Sequence, residues 1–595
     1  DTFQMYEHDD ELALYMPDNS ERRNRQKELD IRVIVGNPPY SVGQESANDD
    51  NANVGYPSLD GRIRDTYAAR STATNKNGLY NSYIRAIRWA SDRIGDAGIV
   101  AFVTNAGWVD GNAADGLRAC LAEEFTDLYI FHLRGNQRTS GERSRKEGGK
   151  IFGSGSRAPI AISVFVKNPD VAEHGRIFFH DIGDYLDQKQ KLAIIRDFGA
   201  LKGIGNADGW ERITPDDQND WLNQRDASFD AFINIGDKKD RTSSSLFTLY
   251  SSGVKTQRDA WCLNFSRENL RHNIGRMVEF YGSEIERNEK SANSQEFEFK
   301  ADPKSISWTR ALLADASRKK PLSIEDGIPV QCVYRPFMKS WLYFGRRFNE
   351  MVYQMPKIFP TKEDQNRTIM VSAPGYTTGF TCMMTNTIAE LCVAAMKGGT
   401  QCFPLYLYDE PGPDEGVFSD GDDQTLTRRD AITDEGLAHF QAACPGEEIS
   451  KEDLFYYIYG LLHSPDYRER FKNNLAKALP RIPAVKTFAD FAAFREAGRA
   501  LGDLHRAVVP PIAGEALDVA AGYRDVGPVA PQDAAQDPLV VQHVGDAREI
   551  ELLQDVVPDR EGSACRVRPL QVRRLEAPVC VRCHVVWCAM SPLVQ

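Results

Sequence analysis

Four short runs of apolar, largely β-branched residues constrain the fold most: Ile31–Val35, Gly98–Thr104, Leu128–Leu133 and Ile160–Val166. Runs of this length without polar alternation suit strands buried on both faces, and such strands belong to sheets covered by helices. Between the first two runs, apolar residues recur at helical spacing, at Leu79, Tyr83, Ile84, Ile87, Ala90 and Ile94. That spacing predicts a helix with one buried face. Strand, helix and strand in this order predict the second half of a doubly wound α/β sheet, in a first domain spanning 1–168. The Asn- and Asp-rich stretch from Tyr40 to Asn77 reads as a loop.

Beyond the fourth run the regular alternation stops. Aromatic and charged residues mix, and Gly and Pro recur. This predicts a separate α+β domain over 169–505, divided near 300. Helical pattern returns between Thr433 and His505, with Lys451-Glu452-Asp453 opening an apolar, aromatic helix. Residues 506–595 contain no Lys, Phe, Asn or Thr, while Val, Ala, Pro and Arg dominate. They read as an atypical tail, frameshifted or disordered. Within it, Cys580-Val581-Arg582-Cys583-His584 lacks a second ligand pair at useful spacing, so no metal site is expected there.

The chain has 595 residues, enough for roughly two to four domains. A net charge of -13 removes the argument that a strongly basic surface would make for nucleic acid. Any such partner would need a local basic groove. Eleven cysteines at irregular spacing suggest a reducing compartment. No apolar run approaches the roughly 20 residues that span a bilayer. Asp1-Thr2-Phe3-Gln4 is neither a signal peptide nor an initiator-methionine start. A cytoplasmic fragment of a longer protein is the expectation.

Asn37-Pro38-Pro39-Tyr40 follows directly on the first strand and Gly36. Asn and Pro are common in plain turns, but open α/β sheets bind ligands at this strand end. The residue types suit one chemistry. An exocyclic amine is a poor nucleophile because its lone pair is delocalised into the ring. The Asn37 amide oxygen and the Pro38 carbonyl can each accept one N–H, which favours the tetrahedral, attacking nitrogen. Two prolines stiffen the turn, and Tyr40 offers a face for a base turned out of its stack.

The motif resembles that of the amino-methyltransferases, which use S-adenosylmethionine. Asn37, Pro38 and Tyr40 match that family's amine-binding and base-stacking positions, with Pro39 completing the turn. Leu79-Tyr80-Asn81-Ser82-Tyr83 and Gly98 to Asn105 are similar to the segment and strand that follow it. Phe152, in Ile151-Phe152-Gly153, sits where the family places a second aromatic against the base; a hairpin core residue is the alternative. Ser252-Gly253-Val254-Lys255-Thr256, Arg258-Asp259-Ala260-Trp261, Tyr334-Arg335-Pro336-Phe337 and Cys402-Phe403-Pro404-Leu405-Tyr406 resemble the target-recognition region of type ISP restriction-modification enzymes. So do Tyr456-Tyr457-Ile458-Tyr459-Gly460 and Leu479-Pro480-Arg481-Ile482-Pro483. The resemblance implies a partial methyltransferase sheet followed by a target-recognition domain. It also implies adenine-N6 methylation of double-stranded DNA.

The family's Gly-rich methionine-binding loop is not found before Asn37. Asp1 resembles the acidic residue that contacts the cofactor, or is an ordinary loop aspartate. Weak or no binding of S-adenosylmethionine by this chain alone is therefore expected, with the first strands of the sheet missing and a hydrophobic edge unpaired. No Walker-type loop is present, which excludes ATP-driven translocation for this chain. Arg134, Arg138, Arg143, Arg145, Lys146, Lys150 and Arg157 form a basic stretch suited to phosphates. Lys255, Arg258, Arg335, Lys339, Arg346 and Arg347 are further candidates for DNA contact. Rival readings stay open: a protein-glutamine or RNA methyltransferase with the same motif, and a non-catalytic DNA-binding specificity fragment. Cytosine-N4 enzymes usually carry Ser in place of Asn37.

Overall fold

The computed structural model describes residues 17–40, 55–73, 75–139, 141–152, 157–238, 244–291, 297–361, 365–376, 379–396, 398–409 and 426–508, with Phe3 and Glu7. The expectations for Asp1, Gly153 and the tail beyond 508 lie outside these residues.

Six strands form the first sheet: β1 (Val33–Gly36), β2 (Gly98–Asn105), β3 (Asp127–His132), β4 (Ile160–Lys167), β5 (Arg176–Asp181) and β6 (Glu211–Ile213). Their order is β1-β2-β4-β3-β5-β6. β1 and β2 are parallel, with Gly36 opposite Phe102, and β3 and β5 are parallel. β4 lies antiparallel between β2 and β3, and β6 is antiparallel to β5. The helix Ser82–Arg93 joins β1 to β2 and buries Tyr83, Ile84, Ile87 and Ala90, the face its spacing predicts. Inside the stretch read as loop, Pro57–Ile63 is helical and continues through Arg64–Ala68. Leu59, Ile63 and Tyr67, four residues apart, put one fully buried stripe on the core.

The boundary expected at 168 falls inside this sheet. β5 and β6 carry it to Ile213, and Trp221 still packs edge-on against Trp108 at 5.6 Å. At the other end, β1 has a neighbour on one side only among the described residues. Val33 and Val35 are 59% and 75% exposed, leaving an apolar pairing edge.

From Ile233 onward the architecture is α+β. One four-stranded sheet contains the hairpin Ile328–Arg335 and Met338–Phe344, with Ile388–Ala389 and Leu263–Asn264 at its edges. A second joins Cys382–Thr385, Thr368–Ser372, Thr400–Pro404 and Ser251–Ser252. One hydrophobic core runs from Phe229 to Phe491 without a break near 300, so the expected division there is not seen. The aromatic helix Lys451–Leu461 opens at a capping box in which Ser450 and Asp453 satisfy each other's backbone N–H. It packs against Phe488–Val508 at backbone contact. A side chain on Gly460 would stand 2.1 Å from the Phe494 carbonyl oxygen, and one on Gly498 2.0 Å from that of Tyr456.

The two units are joined by buried charge. Arg118 and Asp220, both wholly buried at the side chain, pair at 2.7 Å. Asp220 also meets Arg225 at 2.9 Å and Lys477 at 3.1 Å. Lys477 reaches the Leu222 and Asn223 carbonyls as well, and Asn112 of the first unit donates to the Lys477 carbonyl. Residues 214–226 are thus held from both sides.

Candidate functional site at the carboxyl end of β1

Because β1 and β2 are parallel and in register, the turn after Gly36 emerges beside Val103. Asn37 and Pro39 are exposed, and Pro38 and Tyr40 half-buried. The Tyr40 hydroxyl donates to Asn37 Oδ1 at 3.0 Å and toward the Val103 carbonyl at 3.2 Å. Burial pushes the Tyr40 phenol up to about 12, so it remains a donor across the physiological range. Tyr83 meets its ring edge-on at 6.2 Å. The Asn37 amide oxygen therefore faces an open strand end, held by one hydroxyl.

Phe152 is half-buried and packs on the apolar cluster of Phe131, Leu133, Ile151, Ile160, Ile182 and Ile204. Tyr40 and Val103 pack on the same cluster. The structure thus sets the two candidate base-contacting rings on one apolar floor. What positions Phe152 escaped the sequence reading. Lys191, wholly buried, donates to the Glu147 carbonyl at 2.7 Å and the Gly149 carbonyl at 2.8 Å. Burial pulls its ammonium down to about 8. Gln188 donates to the Ile151 carbonyl at 2.6 Å. Gly148, at φ +67°, and Gly149 lie so close to residues 186–188 that a Cβ would stand 2.1 and 2.7 Å from backbone atoms. Nothing in the sequence around Lys191 marks it as buried; only the path of the chain buries it.

The basic candidates divide. Arg138, Arg143, Arg145 and Lys146 are exposed, the last three on the short helix Gly141–Glu147. Arg145 pairs loosely with Glu142 at 3.3 Å, and Lys146 lies 3.8 Å from Asp184. Arg157 is exposed and Lys150 half-buried. Lys255 and Lys339 are half-buried, and Arg346 is exposed. Three arginines are engaged inward instead. Arg258 is buried, donating to the Arg347 and Phe348 carbonyls at 3.1 and 2.9 Å and to Thr309. It is a core residue rather than an outward contact. Arg347 pairs with Asp315 and Asp326. Arg335 pairs with the buried Glu390 at 2.7 Å.

Arg134 is also turned inward, from a left-handed backbone at φ +54°, onto Asp181 at 2.6 Å and Asp184. Burial alone would raise the Asp181 carboxyl. His132, Arg134 and the Gly183 N–H outweigh it and hold the carboxyl well below the usual range. A depressed carboxylate contributes stability above its ordinary value near 3.8 and loses it as pH falls further. Arg134→Ala is thus expected to melt lower than the parent at pH 7, with the gap closing below pH ~4. Melts across that range check this; a constant gap would mean that Arg134 acts through packing alone.

Among the described residues no group of His, Cys, Asp and Glu is arranged to hold a metal ion, and no helix is long and apolar enough to cross a membrane. Cavities of about 290 and 530 Å³, beside Arg346 and beside Arg428 and Lys451, lie far along the chain from the motif and are lined by none of its residues.

Fold and site together define an open α/β sheet with an amide-bearing turn at a strand end, joined through buried charge to an α+β module. Residues 245–538 match the Type ISP C-terminal specificity domain family. That match starts after the boundary expected at 169 and ends within the stretch read as a tail. Solved structures that resemble the chain include three determined with DNA or a DNA mimic. A nuclease-deletion mutant of the Type ISP restriction-modification enzyme LlaGI, in complex with a DNA substrate mimic, is 39% identical over 85% of this chain, with a TM-score of 0.71. The ATP-dependent Type ISP enzyme LlaBIII bound to DNA is 35% identical over 85%, with a TM-score of 0.73. DrdV in its DNA complex is 33% identical over 82%, with a TM-score of 0.69. This chain spans 38%, 32% and 45% of those proteins. Comparison with curated proteins finds no match.

Proposed function

We propose that the chain is the methylating and specificity portion of a restriction-modification enzyme and that it acts on adenine-N6 in double-stranded DNA. The observation that carries this reading is the solvent-open Asn37 amide at the carboxyl end of β1, with Tyr40 and Phe152 on one apolar cluster. A base turned out of the duplex would lie against the Tyr40 and Phe152 rings. Asn37 Oδ1, released by the Tyr40 hydroxyl to the Val103 carbonyl, and the Pro38 carbonyl would accept the two amine N–H groups. The exposed Arg138, Arg145 and Lys146 are suited to the phosphates flanking that base. S-adenosylmethionine supplies the electrophilic methyl group on this reading. The described residues fit the base side of the reaction; none is assigned to the cofactor's methionine or adenine.

A second reading, a DNA-binding specificity module without methyl transfer, is favoured by the bare edge of β1 at Val33 and Val35. One assay separates the two. Duplex DNA is incubated with the chain and methyl-tritiated S-adenosylmethionine, digested to nucleosides and chromatographed, and duplex binding is followed as salt is raised. Label in N6-methyldeoxyadenosine supports the first reading. Salt-dependent binding without label leaves the second. Absence of duplex binding at low salt defeats both.

A further inference from the structure

The hairpin Ile328–Arg335/Met338–Phe344 turns through two residues, Pro336 and Phe337, since Arg335 stands opposite Met338. Phe337 adopts φ +59°. In so short a loop a positive φ calls for Gly, Asn or Asp, and a bulky aromatic there is strained. Its ring gains little in return from the fold. Phe337 is 48% exposed and Met338 42%, and the one ring contact described for Phe337 is edge-on to His505 at 5.7 Å. Three consecutive apolar residues occupy a tip where polar turn residues are the norm.

The base of the hairpin is braced. Its register shifts between Val333 and Arg335, which marks a bulge at Tyr334. The Arg335 guanidinium lies over the Tyr334 ring at 3.9 Å, donates to the Tyr334 carbonyl at 2.6 Å and pairs with Glu390 at 2.7 Å. Glu390 is fixed in turn by the Cys392 N–H at 2.8 Å. Beside the tip, half-buried Lys339 has no carboxylate partner among the described residues. A strained apolar point on a clamped support, next to an uncompensated cation and within the specificity domain, fits a duplex whose base steps accept Pro, Phe or Met between them.

We propose that Pro336, Phe337 and Met338 form a rigid wedge that enters a base step of duplex DNA and kinks it, with Lys339 on an adjacent phosphate. The proposal rests on the DNA-binding reading above and adds where the protein deforms its partner. The full chain is used to enrich duplexes from a random-sequence pool. The enriched duplex, carrying a donor and an acceptor dye at its ends, is then titrated with wild type and variants. Phe337→Gly relieves the backbone strain, so its melting temperature is expected to rise by about 2 °C. Its affinity for the enriched duplex should fall on the order of tenfold, with the bend-dependent energy transfer lost. Phe337→Leu, still an apolar wedge, should keep most of the bend. Lys339→Ala should weaken binding to all duplexes alike and flatten the salt slope by about one ion. Wild-type binding and bending by Phe337→Gly would overturn the wedge, as would a tip that instead captures a protein and leaves DNA unbent. If the wild-type chain enriches no duplex, the DNA-binding reading fails first.

Discussion

Replacing Asn37 by alanine is expected to lower methyl transfer by at least about 10²–10³-fold, the usual effect of removing one polar group aimed at a transition state. Duplex affinity should stay within about twofold, because affinity is dominated by phosphate contacts made elsewhere. The fold has little at stake in this side chain. Asn37 is exposed, and its described hydrogen bond comes from Tyr40, whose hydroxyl keeps the Val103 carbonyl. Asn37→Asp, which retains an acceptor oxygen at the same place, should lose less. Tritium incorporation into DNA, in a preparation active in the assay described above, measures both. A fully active Asn37→Ala protein would remove Asn37 from the methylating site while leaving the fold untouched.

The largest effect on stability is expected from Asp220→Asn. The carboxylate is wholly buried and faces Arg118, Arg225 and Lys477. Arg118 is itself wholly buried, its remaining N–H groups on the Asn219, Trp108 and Gly111 carbonyls. Removing the negative partner leaves a buried guanidinium without its paired carboxylate, with only the more distant Asp110, Asp115 and Asp216 to offset it. Breaking a buried pair in this way costs about 3–5 kcal/mol, a large part of the roughly 5–15 kcal/mol that holds a folded domain together. The expected signature is a lower first melting transition and faster proteolysis within 214–226, since these residues connect both units. A melting curve that matches wild type would mean that water already screens the cluster.

The strands were legible where physics is local. Val33–Gly36, Gly98–Asn105, Asp127–His132 and Ile160–Lys167 are largely apolar runs, the mark of strands in a sheet covered by helices, although Val33 and Val35 of the first stand exposed at the sheet edge. Arg176–Asp181 escaped because His180 and Asp181 end it and Asn168-Pro169-Asp170 precedes it, which together read as a boundary. The helical stripe of Leu59, Ile63 and Tyr67 was hidden by the polar residues around it. Charged residues misled most. Arg258 reads like a phosphate contact, yet its cation is spent on carbonyls of a neighbouring loop. The buried roles of Arg118, Lys191 and Asp220 left no mark in the sequence, because a single charge carries no sign of a partner many residues away in the chain. The Asn37-Pro38-Pro39-Tyr40 turn was visible because the chemistry proposed for it rests on four consecutive residues. The bracing of Phe152 by Lys191 and Gln188 was not, because it depends on how the chain returns.

The charge lock between the units bears on engineering. A transplant that starts at residue 245, where the family match begins, would bring a foreign side chain to position 477 and set it against a resident Asp220. Asp216 must travel too, since its carboxylate anchors the backbone of both Asp220 and Arg225. A graft that exchanges the second unit therefore needs its seam upstream of Asp216 and a matched Arg118 on the recipient side.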